Sequence, residues 1–295
     1  MTNPTRGLLL LSPCTSVVSL AAGSDELDCK KGKAAACGFA GRAYIDKGQA
    51  GDESAYALAR PLLEKGCKGN DGASCDDLGW LYDDGLGMDV DKKNAEHFYS
   101  KACDSKFARG CTNAAALYLR GEGVAKDEKK ALKLFTRACD GGSLTGCRDL
   151  GLMYIDGTGT PKDLKKAREL FHKGCDGNNA GSCFDLGVMY ANGEGGPVDE
   201  KKAAQAYDLG CDGNSWSSCR NLALLYLDGK GVKKDFGEAR TLLEKGCEGK
   251  HGASCYDLAV MHQNGEGTPK DKDMAKKFFK VSCELKYENA CKYAK

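Results

Sequence analysis

The stretch that decides the fold is ALKLFTRACDGGSLTGCRDLGLMYIDGTGTPKDLKKARELFHKGC, residues 131–175. Counting from Cys147, small or apolar residues fall at Leu150, Gly151 and Tyr154, the i, i+1, i+4 face of a helix and not the alternation of a strand. Past Gly157-x-Gly159 the same spacing returns in Ala167, Leu170 and Phe171, as it does earlier in Ala131, Leu134 and Phe135. The segment therefore reads as amphipathic helices separated by a glycine turn on one side and a Cys-x7-Cys loop on the other.

Working outward, sixteen of the seventeen cysteines form eight such pairs: Cys29/Cys37, Cys67/Cys75, Cys103/Cys111, Cys139/Cys147, Cys175/Cys183, Cys211/Cys219, Cys247/Cys255 and Cys283/Cys291. From Cys67 the period is 36 residues without a slip, so one supersecondary unit is repeated along the chain. A single helical hairpin cannot bury its apolar face, whereas stacked hairpins share a continuous core. The expected fold is all-α, an α/α solenoid of about seven hairpins. The expected organisation is residues 1–23 as a signal peptide, 24–66 as a modified first repeat, 67–282 as six regular repeats and 283–295 as a C-terminal cap.

Local chemistry agrees with helices. Ser74-x-x-Asp77, Ser182-x-x-Asp185 and Ser254-x-x-Asp257 match a capping box with serine as the cap. Cys-Asp-Gly at Cys139, Cys175 and Cys211 is expected to end the second helix with a left-handed glycine. Small residues four past the second cysteine, Gly79, Gly151, Gly187 and Ala223, are read as permitting close helix packing. The first unit departs: Gly48 and Gly51 stand in place of the Gly-x-Gly turn, and Pro61 falls inside its second helix.

Each cysteine pair lies at one end of an antiparallel helix pair, within reach of disulfide geometry. Closing so short a loop is worth about 2.5 kcal/mol in the chain-entropy account. Zinc would need four ligands at closer spacing, and the chain has four scattered histidines, His97, His172, His251 and His262; no metal or cofactor is expected. Disulfides on this scale imply an oxidising compartment. Arg6, the apolar run 7–20 and Ala21-Ala22-Gly23 read as a secretory signal, giving a periplasmic or secreted protein. The odd Cys14 lies inside it; Leu11-Ser12-Pro13-Cys14 is the alternative, a degenerate lipid-anchoring site.

With 43 basic and 42 acidic residues the chain is nearly neutral, which gives no electrostatic reason to expect nucleic acid. Candidate binding residues are those that vary where the frame repeats: Asp76, Arg148, Phe184, Arg220 and Tyr256, one past the second cysteine, with Trp80 at the fifth position. Their variation is read as freedom from packing, and basic and aromatic side chains dominate recognition hot spots.

The Leu-Gly-x-x-Tyr, Gly-x-Gly, Lys-Lys-Ala and Lys-x-Cys pattern resembles the Sel1-like repeats, relatives of tetratricopeptide repeats, over Cys29 to Lys295. With a Cys-x7-Cys pair per unit it resembles the Helicobacter cysteine-rich proteins in particular. That resemblance implies a right-handed superhelix, each hairpin stapled by its disulfide, and export. It also implies a concave groove that binds a protein, a peptide or a peptidoglycan fragment, with weak β-lactamase or penicillin-binding activity as the alternative. For the alternative the sequence supplies no Ser-x-x-Lys, Ser-Asp-Asn, Lys-Thr-Gly or Gly-x-Ser-x-Gly motif, so no catalytic residue is assigned.

Overall fold

A computed structural model of the chain describes residues 24–294; the expected signal segment and Cys14 lie outside the described residues. The chain forms two compact units, Met1–Gly141 and Gly142–Lys295. In the first, α1 (residues 24–30) precedes three hairpins: α2 (Ala34–Gln49) with α3 (Ser54–Lys68), α4 (Gly72–Asp84) with α5 (Lys92–Asp104), and α6 (Ala108–Arg120) with α7 (Glu128–Asp140). The second has four: α8 (Leu144–Asp156) with α9 (Leu164–Asp176), α10 (Ala180–Asn192) with α11 (Glu200–Asp212), α12 (Trp216–Asp228) with α13 (Phe236–Glu248), and α14 (Gly252–Asn264) with α15 (Lys272–Glu284), closed by the short α16 (Glu288–Cys291). Within each unit the first helices of successive hairpins touch, α2 to α4 to α6 and α8 to α10 to α12 to α14, as an α/α solenoid requires.

Glycine turns close the hairpins. Gly193 and Gly195 both have left-handed backbones, φ 71° and 72°, which a residue with a Cβ adopts at a cost. The second glycine has a further reason: a Cβ on Gly195 would lie 2.3 Å from the Leu164 carbonyl oxygen at the start of α9. The turn thus docks each hairpin on the one before it.

Disulfides join consecutive hairpins. Cys103 in the last turn of α5 bonds Cys111 in the first turn of α6. The expected pairing recurs along the chain: Cys67 bonds Cys75, Cys175 bonds Cys183, Cys211 bonds Cys219 and Cys247 bonds Cys255. At the two ends, Cys29–Cys37 ties α1 to the first hairpin and Cys283–Cys291 ties α15 to α16. All these bridges have Cα separations of 4.5–4.8 Å, and Cys139 and Cys147 are disulfide-bonded as well. Cys37, Cys75, Cys183 and Cys255 sit in the first turn of α2, α4, α10 and α14, and none is more than 1% exposed. Each staple thus closes the short loop of an antiparallel helix pair, as expected; counted by the glycine turns, it links one hairpin to the next.

That packing matches small residues to large. The ring of Tyr99 lies where a Cβ on Gly79 would be, 2.6 Å away; Phe171 does the same at Gly151 and Tyr207 at Gly187. Beside each bridge a second match operates. Ser182, fully buried, places its hydroxyl 2.2 Å from the Cβ position of Gly174, and Ser74/Gly66, Ser218/Gly210 and Ser254/Gly246 repeat the pairing. In the α5–α6 connection the bulk is exchanged: Ala102 faces Gly110, at 2.4 Å from the Cβ position. In each of these five connections one partner gives up its side chain where the other keeps one, as close-packed interiors demand.

Three expectations about local structure are corrected. Ser74, Ser182 and Ser254 are not helix caps: the cap of α4 is Asp71 and that of α10 is Asn179, accepting from the backbone N–H groups of Ser74 and Ser182. The glycine after Cys-Asp is not left-handed: Gly177 has φ −83°, and the left-handed residue is the next one, Asn178, at φ 66°. Gly177 is needed for space, since its Cβ would lie 2.6 Å from a methyl carbon of Leu144. In the first unit, Gly48 is buried within α2 beneath the ring of Tyr56, so only Gly51, φ 110°, serves the turn; α3 runs through Pro61, which is exposed.

Candidate functional site

The first helices carry the variable residues, and the structure shows what those residues touch. In four repeats the side chain one past the second cysteine meets the residue two past the second cysteine of the following repeat, 37 positions on. Asn113 Nδ2 donates to Asp76 Oδ1 at 2.9 Å, Arg148 Nε donates to Asp185 Oδ2 at 2.6 Å, and Arg220 Nε donates to Asp257 Oδ2 at 2.5 Å. At the C-terminal end the rung is aromatic, with the Tyr256 and Tyr293 ring centroids 6.4 Å apart. Variation at this position is thus matched by variation in its neighbour. The reading of these residues as free from packing is corrected: Asp76, Arg148, Arg220 and Tyr256 each have a partner one position outside the 36-residue frame. Asp77, Asp185 and Asp257, assigned above to capping boxes, instead accept from arginines of an adjacent repeat.

Phe184 lies against Tyr207, centroids 6.3 Å apart, and Tyr256 also contacts Phe279 and Tyr287. Trp80 meets Tyr56 edge-on at 6.3 Å. Two of the six candidates, Asp76 and Trp80, line one cavity.

That cavity is in the first unit, has a volume of about 220 Å³, and is lined by Arg42 and Gln49 of α2, Asp76, Asp77 and Trp80 of α4, and Arg109 and Asn113 of α6. Arg109 donates through Nη2 to Asp77 Oδ1 at 2.8 Å and through Nε to Asp76 Oδ2; Arg42 donates through Nη2 to Asp77 Oδ1. The Arg109 guanidinium also sits over the Phe107 ring at 5.3 Å. Burial pushes the Asp77 carboxyl up to about 6 against the pull of Arg42 and Arg109, and the Asp76 charge adds to the rise. Burial likewise raises Asp76, and its partner arginines and Asn113 only offset part of this. Desolvation therefore outweighs attraction at both carboxylates, the usual balance for buried ion pairs.

Arg42, Gln49, Arg109 and Asn113 were missed in the sequence. One signal was present: Arg42 occupies the fifth position of its repeat, which is Trp80, Ala116, Leu152, Val188, Leu224 and Val260 in the others. Arg109 carried the same kind of signal, since it precedes its cysteine by two in a slot filled elsewhere by short side chains or glycine.

One constellation imitates hydrolytic chemistry. His251 Nδ1 lies 2.8 Å from Ser254 Oγ, with Asp257 nearby in sequence. Ser254 is fully buried, however, and the same slot is Asp71–Ser74, Asn179–Ser182 and Ser215–Ser218 in other repeats. The contact is the local helix-start bond with histidine substituted for the cap. Among the described residues no group of three or more histidine, cysteine or acidic side chains could hold a metal ion, and no helix is long and apolar enough to cross a membrane.

A stack of short hairpins, joined by disulfides and with its variable residues on one set of helices, defines the class: an α/α repeat scaffold with the chemistry of an oxidising compartment. The Sel1 repeat model matches residues 72–107, 108–143, 145–179, 180–214, 216–251 and 252–287, well over half of the chain. This protein belongs to the Sel1 repeat family. The boundary at 107/108 falls between Cys103 and Cys111, so this staple links neighbouring Sel1 repeats, as do Cys175–Cys183, Cys211–Cys219 and Cys247–Cys255.

Among solved structures, c5321, a protective antigen of uropathogenic Escherichia coli, aligns with a TM-score of 0.79 at 24% identity over 91% of this chain; the chain spans 57% of the length of that protein. A Sel1 repeat protein of Oxalobacter formigenes aligns with a TM-score of 0.69 at 22% identity, covering 82% of this chain and 96% of its own. Both establish the fold. Cysteine-rich protein B of Helicobacter pylori is 33% identical over 44% of this chain and 93% of its own, with a TM-score of 0.37. No curated protein sequence matches the chain.

Proposed function

We propose that the chain is an exported, periplasmic or secreted scaffold that binds a protein or peptide partner on the face formed by its first helices. The observation that carries this reading is the cavity of about 220 Å³ shared by α2, α4 and α6, where three repeats contribute polar side chains to one opening. Sel1 repeats as a class serve protein–protein interaction, which supports a macromolecular ligand over a small substrate. Export is supported by the disulfides, because Cys211 and Cys219 are almost wholly buried and belong to a framework that a reducing cytosol would leave unformed.

The test is selection of peptides from a random library on the oxidised protein. Binding of selected peptides should fall about tenfold or more in Gln49→Trp, which fills the cavity mouth without adding charge or touching the core. It should be unchanged in Lys133→Glu, on the exposed surface of α7. Peptides indifferent to Gln49→Trp would remove the site from this face.

A further inference from the structure

We infer that the cavity between α2, α4 and α6 recognises a carboxylate of its partner, with Arg42 as the receiving group. The inference rests on the binding role proposed above and specifies its chemistry. Both sign choices were open, since two acids and two arginines meet here; exposure and hydrogen-bond capacity decide between them. The side chains of Asp76 and Asp77 are 2% and 5% exposed, and each already accepts from two donors. So little of either carboxylate is exposed that an incoming cation would reach it only by displacing an arginine.

The guanidiniums are the opposite case. Arg42 is 37% exposed and Arg109 51% exposed, and both line the cavity. A guanidinium has five N–H donors in a planar fork. Arg42 commits one nitrogen to Asp77, so a planar anion finds the rest of the fork open, with Trp80 supplying an apolar wall beside it. The volume of 220 Å³ accommodates about seven waters at their liquid share, enough for a carboxylate and the residue that bears it.

The same geometry couples recognition to acidity. The charged groups facing Asp77 are Arg42 from α2, Asp76 on its own helix and Arg109 from α6, with Tyr99 of α5 in the field of Asp76. At pH 7.5 the two acids neutralise the two arginines. Protonation of Asp77 leaves one positive charge uncompensated, while a peptide carboxylate, with an ordinary value near 4, stays ionised. Carboxylate capture therefore strengthens as pH falls from 7.5 to 5.5.

Three peptides separate the sources of the carboxylate: Ac-Gly-Gly-Phe-OH has only a terminal one, Ac-Gly-Glu-Phe-NH2 only a side-chain one, and Ac-Gly-Gly-Phe-NH2 has none. Each is titrated into uniformly 15N-labelled, oxidised protein, following the two indole N–H signals. At least one acidic peptide should shift Trp80 and not Trp216, and bind roughly tenfold or more tighter than the neutral peptide. Arg42→Gln should abolish the difference. Asp77→Asn, which imitates the protonated acid, should keep it and lose the pH dependence; this variant also guards against a folding defect in Arg42→Gln. Equal shifts from acidic and neutral peptides, or unchanged binding in Arg42→Gln, overturn the inference. Library peptides that need Gln49 but no carboxylate would overturn it too, while leaving the binding face itself in place.

Discussion

Arg148 sits at the point where sequence and structure predict different outcomes for one substitution. If it were a free surface residue, Arg148→Ala would leave stability unchanged. In the structure its Nε donates to Asp185 at 2.6 Å, and the two side chains are 35% and 14% exposed. Truncation leaves a largely buried carboxylate without its charged donor, a loss of about 1.5–3 kcal/mol. At about 2–4 °C per kcal/mol for a chain of this size, the melting temperature should fall by roughly 3–12 °C at pH 7.5.

The pH dependence follows from the sign of the shift. Burial raises the Asp185 carboxyl above its ordinary value, and Arg148 opposes the rise. Removing the arginine raises it further. Because a protonated carboxyl carries no desolvated charge, the penalty should shrink as pH falls and be smaller at pH 4.5 than at pH 7.5. Thermal unfolding of oxidised wild type, Arg148→Ala, Asp185→Asn and the double variant at both pH values forms the cycle. The double variant should recover most of the loss. A melting temperature unchanged by Arg148→Ala, or a loss equal at pH 7.5 and 4.5, would refute the rung.

Other outcomes can be checked alongside. Gly174→Ala should destabilise by about 1–3 kcal/mol, since its Cβ would meet Ser182 Oγ at 2.2 Å; adding Ser182→Gly should restore the fold by recreating the natural Ala102/Gly110 pairing, and failure of that rescue in calorimetry would deny size matching. Wild-type stability should rise as pH falls from 7 to 5, because the folded Asp77 binds its proton near 6 while the unfolded group binds it near 3.8; Asp77→Asn should flatten this slope, and an equal slope in denaturant titrations would exclude Asp77 as its source. Replacing Cys211 and Cys219 together by serine should cost about 2–3 kcal/mol, and an unchanged denaturation midpoint would show that the staple is dispensable.

The solenoid was legible because its information is one-dimensional. Period, cysteine spacing, glycine turns and the faces of Leu150, Gly151 and Tyr154 all lie within one repeat, and packing against identical neighbours adds no new type of contact. What lay between repeats was harder to read. Ser182 looked like a cap because a serine three residues before an acid has that signature, yet its position is set by Gly174 across the bridge. Arg148 and Asp185 looked unconstrained because a frame of 36 residues hides a partner at 37. The cavity was least visible of all: Arg42 comes from the irregular first repeat and Arg109 from a slot otherwise filled by small residues, and only folding sets them on either side of Asp77.

The binding face is tested most directly by site-directed photo-crosslinking. A benzophenone side chain is placed at Gln49, at the mouth of the cavity, or at Lys133 on α7, and the oxidised proteins are irradiated in extracellular and periplasmic extract of the source cells. The account predicts one discrete adduct from position 49, absent from position 133 and lost when Arg42→Gln is added. Adducts equal at both positions, or none from position 49, would contradict it.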